Sequence, residues 1–150
     1  MEKLIAEASI DIDASPARVW TVLTSPAFTS RWAGLFGADG PIDSDWKKDS
    51  QVLWRNADGD VYVSGKVMAS VPDSLLRFTV RGTQAERQPV SGLEEDDLTQ
   101  TYALSGVGSR TTLSIAHGDF SKLADGAEIY PRVCEGWNGI LARIKALAEE

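Results

Sequence analysis

The chain has 150 residues, with 22 acidic against 15 basic side chains, a formal charge of −7 and 43% hydrophobic residues. That size and composition predict one globular domain over residues 1–150, able to bury about two-thirds of its unfolded surface without staples. The acidic balance excludes nucleic acid and anionic membranes as expected partners, since each phosphate contact needs a Lys or Arg. The single Cys134 and single His117 leave too few ligands for an ordinary zinc or thiol–imidazole site; counting leaves a carboxylate-only magnesium or calcium site open, and the expectation is neither a metal nor a cofactor.

No apolar run approaches the roughly 18 residues of a membrane span. The opening MEKLIAEASIDI has no basic region and no apolar signal core, so the expectation is a cytoplasmic protein without membrane insertion. Residues 4–12, LIAEASIDI, alternate apolar and polar side chains with the period of a half-buried strand. Ser15 then offers a hydroxyl to the first turn of a helix beginning at Pro16, whose apolar face is Val19, Trp20, Val22 and Leu23. Ser25 and Pro26 repeat the same start signal, which predicts a bend and a second helix over Pro26–Trp32.

After the Gly-rich GLFGADGP, short strands are predicted at about 42–46, 51–56, 61–71, 74–81, 98–105 and 110–118. The separators NADGD, VPDS and SGVGS have hairpin chemistry, so neighbouring strands should run antiparallel. Residues 82–97, GTQAERQPVSGLEEDD, are too long for a tight hairpin and read either as a lid or as a plain surface excursion. The EEDD at 94–97 lacks the glycine and alternate spacing of a calcium loop and reads as a solvated edge.

From Asp125 the period becomes helical: Ile129, Val133, Trp137, Ile140, Ile144 and Leu147 recur opposite Arg132, Glu135, Arg143 and Glu149. Pro131 fits the first turn of a helix starting near Tyr130, or marks a kink if Asp125 and Glu128 cap an earlier start. Gly136 and Gly139 each cost the helix about 1 kcal/mol relative to Ala, which points to close approach of a strand or of a bound molecule.

These elements predict an α+β fold: a curved antiparallel sheet of six to seven strands wrapped on a long C-terminal helix, with two short helices after the first strand. A helix of about 20 residues is near 30 Å long and cannot fill a concave sheet from end to end. The unfilled end would be a cavity between sheet and helix, a common type of small-molecule site. Alternation turns inward Val52, Trp54, Val61, Val63, Leu76, Phe78, Tyr102, Leu104, Leu113, Ile115 and His117. The candidate ligand-binding set is Trp32, Trp54, Val63, Phe78, Tyr102, His117, Val133, Trp137, Ile140 and Leu141. Plain core packing is the commoner role for any one of these aromatics.

The order of IDASPARVWTVLTSPAFTSRW, GDVYVSGKVMASVPDSLLRFTV, TQTYALSGVGSRTTLSIAHGDF and EGWNGILARIKALAEE resembles the helix-grip superfamily of START domains, polyketide cyclases and the birch-pollen allergen. Within it the chain is most similar to the bacterial family named after the activator of heat-shock-protein-ninety ATPase. The marks are Val19 and Trp20, Arg31 and Trp32, Ser64 and Gly65, His117 to Phe120, and Gly136 and Trp137. Two positions depart from the family pattern: Arg18 stands where an acidic capping residue is common, and Gly118–Asp119–Phe120 replaces a small residue followed by Gly-Phe.

Three functions remain, the first carried by the predicted cavity and its aromatic lining and the other two by the resemblance, and fold alone does not choose among them. The first is binding of a small hydrophobic or aromatic molecule in the cavity. The second is cyclase or aromatase chemistry on an enclosed polyketide-like substrate, with Tyr102 and His117 as acid and base. The third is a chaperone-associated interaction module. His117 is the only side chain with a reference pKa near neutrality, yet a hydrogen-bonded place at a strand end is its commoner fate. Cys134, beside the apolar stripe, reads as an inert small hydrophobe, and Arg55, Arg77 and Arg81 as solvent-facing strand residues or as a cavity-mouth anchor for an anionic ligand. Either a monomer or a homodimer through an edge strand is compatible with these features.

Overall fold

A computed structural model describes residues 3–32, 42–55, 58, 61–79, 81–82, 99–122 and 126–150, with backbone alone for residues 55, 61–63, 81–82, 107 and 122. In chain order these form β1 (Ala6–Ile12), α1 (Pro16–Thr24), α2 (Pro26–Trp32), β2 (Ile42–Asp43), β3 (Gln51–Arg55), β4 (Val61–Val71), β5 (Leu75–Thr79), β6 (Arg81–Gly82), β7 (Thr99–Val107), β8 (Arg110–Gly118), a 3₁₀ turn (Phe120–Lys122) and α3 (Gly126–Ala148). The sheet is antiparallel and curved, in the order β1-β8-β7-β5-β4-β3-β2, with the two-residue β6 pairing β4 beside β5. The predicted α+β helix-grip architecture is therefore present, including the two short helices and the long C-terminal one.

Both Ser-Pro steps act as helix starts. The Ser15 hydroxyl accepts from the Arg18 amide at 3.2 Å, and Pro16 opens α1 where its missing N–H leaves no bond unmade. Ser25 serves two helices: its N–H donates to the Thr21 carbonyl at 2.8 Å, while its own carbonyl accepts from Phe28 and Thr29, both at 2.9 Å. The bend between α1 and α2 is thus closed on both sides by backbone bonds.

Several strands differ from expectation for local reasons. The strand expected over 42–46 stops after Asp43, because the Ser44 hydroxyl and the Asp45 carboxylate accept from the amides two residues on, Trp46 and Lys47. Trp46 itself has φ +59° and leaves the strand path. The strand expected over 74–81 divides into β5 and β6, and β4 changes partner opposite that division. Its first half, up to Lys66, pairs with β3, and its second half, from Val67, pairs with β5. Gly65 sits at the change, where a Cβ would lie 1.8 Å from the Thr79 carbonyl oxygen, so only glycine allows the approach. The β7–β8 hairpin runs to Val107, two residues beyond expectation, since Gly108 takes φ +64° in a tight turn. Of the expected loop over 82–97, Gly82 ends β6 and the rest lies outside the described residues, as does the Gly-rich passage.

The long helix begins at Gly126, not Tyr130, so Pro131 lies inside it, and Glu128 stands in its first turn. Gly126 passes so close to the 3₁₀ turn that a Cβ would meet the Phe120 carbonyl oxygen at 1.7 Å. Gly136 and Gly139 correct the expectation of close approach: both are exposed, and a Cβ at either would meet nothing within 4 Å. The core lies between sheet and helix, with Trp137, Ile140, Leu141, Ile144, Leu147 and Ala148 buried from α3. Val19, Val22 and Leu23 join it from α1, and Val52, Leu76, Leu113 and Ile115 from the sheet.

Arg18, the departure noted in the sequence, holds the far end of the chain. Its guanidinium donates to the Ala148 and Leu147 carbonyls at 3.3 and 3.2 Å and lies 4.8 Å above the Phe28 ring. It thereby satisfies two orphan carbonyls of the α3 C-terminus. Beside it α3 and the residue after it also reach the edge strand β1 and its two flanks: Tyr130 donates to the Ile5 carbonyl at 3.2 Å and Lys145 to that of Asp11 at 2.9 Å, and Glu149 accepts from the Asp13 amide at 2.8 Å. Side chains on one helix so occupy edge groups that would otherwise pair with another chain.

Candidate functional site

Alternation on β3, β5, β7 and β8 directs Trp54, Phe78, Tyr102 and His117 to one face, and each is at least nine-tenths buried there. Trp32, at the end of α2, and Trp137, midway along α3, meet them from the other side. The rings form a connected series. Trp32 lies edge-on to Trp54 at 6.3 Å and to Tyr102 at 6.5 Å, Phe78 stacks on Tyr102 at 5.8 Å, and Trp137 lies edge-on to Tyr102 at 5.9 Å. His117 follows at 5.9 Å from Trp137 and 4.9 Å from Phe120, which lies 6.5 Å from Tyr130. Such edge-on and offset contacts are the preferred ring geometries.

Of the candidate residues, Trp32, Trp54, Phe78, Tyr102, His117 and Trp137 are therefore brought together. Ile140 and Leu141 are buried one turn further along α3, and Val133 is half-buried one turn before Trp137. Val63 pairs with Trp54 across β3 and β4, and its side chain lies outside the described residues, as do those of Val61, Arg55 and Arg81. Arg77 is exposed on the opposite face of β5, and Cys134 is half-buried against the core.

Two hydrogen bonds fix polarity in this interior. The Trp137 indole N–H donates to His117 Nδ1 at 3.2 Å, which assigns the proton of the neutral imidazole to Nε2. The Tyr102 hydroxyl donates to Gln100 Oε1 at 2.6 Å. Burial pushes the Tyr102 phenol far above its ordinary value, so it remains protonated. In the sheet register Gln100 stands opposite His117, whereas Tyr102 stands opposite Ile115. Tyr102 and His117 are diagonal neighbours, about 7–8 Å apart at that spacing.

The residues missed in the sequence are Gln100, Trp46, Phe120 and Tyr130. Parity could have found Gln100, which is two residues before Tyr102 and so shares its face. Trp46 lies 5.6 Å from Phe78 and donates its indole N–H to the Thr24 carbonyl at 2.9 Å, but its place depends on a turn rather than a strand.

The HGDF segment is built around Asp119. Its carboxylate accepts from the Leu4 amide at 2.8 Å, the Ser121 amide at 2.9 Å and the Ser121 hydroxyl at 2.6 Å, closing the 3₁₀ turn onto the segment that leads into β1. Gly118 has φ +154°, and a Cβ there would lie 2.7 Å from the Leu4 carbonyl oxygen, so glycine is required. The Gly118–Asp119 peptide is cis. This turn sets Phe120 against His117.

A surface groove of about 420 Å³ lies on the outer side of Trp46, lined also by Trp20, Thr24, Asp45, Lys47, Lys48, Ser70 and Pro72. It is open to solvent and includes none of the sequence-predicted site residues. Among the described residues, no group of three His, Cys, Asp or Glu side chains could hold a metal, and no helix is long and apolar enough to cross a membrane.

Residues 13–149 match the model of the family described as Activator of Hsp90 ATPase homolog 1-like protein. Among solved structures, the chain is similar to the Aha1 dimer from Colwellia psychrerythraea, with 18% identity, a TM-score of 0.72, and coverage of 97% of this chain and 96% of that one. CalU16 from Micromonospora echinospora is 15% identical with a TM-score of 0.66, over 98% and 85%. An HSP90 activator from Plasmodium falciparum is 14% identical with a TM-score of 0.67, over 96% and 95%. At these identities the likeness is one of fold. No match is found among curated proteins.

Proposed function

The chain belongs to the Activator of Hsp90 ATPase homolog 1-like family, and on that footing we propose that it encloses a small apolar or aromatic molecule between its sheet and α3. The observation that carries this reading is the connected aromatic interior of Trp32, Trp54, Phe78, Tyr102 and Trp137, with polar groups held among the rings. An apolar lining with a few fixed polar groups is the usual composition of a small-molecule site. In this reading Val63, Val133, Ile140 and Leu141 complete the wall, and residues 1–150 act as one cytoplasmic binding unit.

Acid–base chemistry by Tyr102 and His117 has less support. The Tyr102 proton is committed to Gln100 and the Nδ1 lone pair to Trp137, and the two side chains are diagonal rather than facing. A chaperone-associated role rests on the family description and on the name of the Plasmodium falciparum neighbour. A homodimer draws support only from the Colwellia psychrerythraea dimer.

Native mass spectrometry of the protein from its own cells tests the leading reading. A stoichiometric small molecule, extracted and identified, is the expected result. A bare mass, together with no quenching of tryptophan emission by apolar probes, overturns it. Turnover lost in His117→Ala with folding intact would replace binding by catalysis.

A further inference from the structure

Gln100 is 2% exposed, and its only side-chain bond among the described residues is the one it accepts from Tyr102. Its amide nitrogen, two donors, has no partner among the described residues. Reversing the amide leaves the oxygen open instead, so one heteroatom is unsatisfied in either orientation. Most buried polar side chains are paired, and an exception calls for a cause. The surroundings limit what could complete it. In the sheet Gln100 stands between Phe78 and His117, and Tyr102 follows on the same face. The phenol hydrogen and the imidazole Nδ1 lone pair are already engaged, so the amide nitrogen remains as a donor in want of an acceptor. Among the described residues no Arg or Lys is buried, and a carboxylate beside them would carry an uncompensated charge.

We infer that Gln100 is the specificity-determining residue of the interior site and selects ligands carrying a neutral carbonyl oxygen on a flat conjugated body, to which its amide donates. This rests on the binding reading above and adds the chemical class of the ligand. The aromatic rings hold the body of the ligand and would accept a hydrocarbon equally well; Gln100 makes the oxygen matter. A site that must hydrogen-bond its ligand rejects the analogue that leaves its own polar group unpaired.

Fluorenone and fluorene share one tricyclic frame and differ in the carbonyl, so titration of tryptophan emission with each isolates that group. The wild-type protein should bind fluorenone roughly tenfold more tightly than fluorene, the ratio conferred by one ordinary hydrogen bond. Gln100→Leu should bring the two affinities together. Equal affinities in the wild-type protein, or a preference that survives in Gln100→Leu, overturn the assignment while leaving the binding reading intact. Failure of the wild-type protein to bind either probe overturns both. If Gln100→Leu does not fold, the side-chain amide resonance of Gln100 in the wild-type protein decides. It should shift with fluorenone and not with fluorene, and no such difference overturns the inference.

Discussion

The two halves of α3 are built differently. From Trp137 onward the helix buries Ile140, Leu141, Ile144, Leu147 and Ala148, and its end is tied by Arg18 to the Leu147 and Ala148 carbonyls, by Glu149 to Asp13 and by Glu150 to Arg31. Before Trp137 only Gly126 is buried, and Ile129, Tyr130, Val133 and Cys134 are half-covered. One helix thus anchors the fold with its second half and borders the polar end of the aromatic interior with its first. Burial is uneven along a single element, heavy after Trp137 and light before it, so truncations in the two halves should differ in cost.

The contrast breaks if truncations in the two halves cost the same. Ile144→Ala should lose about 2–5 kcal/mol, the range for a fully buried aliphatic side chain, read by urea denaturation. Val133→Ala, at a half-covered position, should lose about 1 kcal/mol or less. Arg18→Met removes two bonds to the helix end but keeps much of the stem. It should cost about 1–2 kcal/mol, and an unchanged denaturation midpoint would remove Arg18 from the anchor.

Smaller effects sharpen the picture. Gly136→Ala and Gly139→Ala place a methyl in open space and should each raise stability by about 0.5–1 kcal/mol. A loss at either position would reveal a contact on that face. Glu149 is held below the usual carboxylate range, first by the hydrogen bond from Lys145 and then by the Asp13 amide. A lowered folded value means that its contribution is present above the ordinary Glu value, near pH 4.3, and fades as pH falls through the folded one. The gap between wild type and Glu149→Gln should therefore be small, constant near neutrality and closed in acid, as measured by thermal melts across that range.

Much of this fold was legible because its signals are local. Ser15-Pro16 and Ser25-Pro26 mark helix starts within three residues, and alternation turns Val52, Trp54, Leu76, Phe78, Tyr102, Leu113 and Ile115 to the buried face, while the side chains of Val61 and Val63, assigned with them, lie outside the described residues. The aromatic interior followed from the same parity. What was not legible depends on partners far along the chain. Arg18 reads as a poor first-turn residue until the end of α3 is brought to it, 129 and 130 positions away. Gly136 and Gly139 read as packing glycines because sequence does not show which helix face is empty. Gln100 was hidden by its polarity: composition places a Gln in solvent, and only its parity with Tyr102 turns it inward.

The place of β1 also governs when the molecule can become whole. Its one strand partner among the described residues is β8, Ala6 facing His117 and Ile12 facing Thr111, and the helix that covers it comes later still. At roughly 5–20 residues per second, the hundred or so residues between them take on the order of 5–20 s to synthesise. Throughout that interval the inward side of the first strand lacks the strand and the helix that cover it in the native fold. Such closure between distant segments also places the chain among slow folders, since a long loop must be fixed before its contacts stabilise anything.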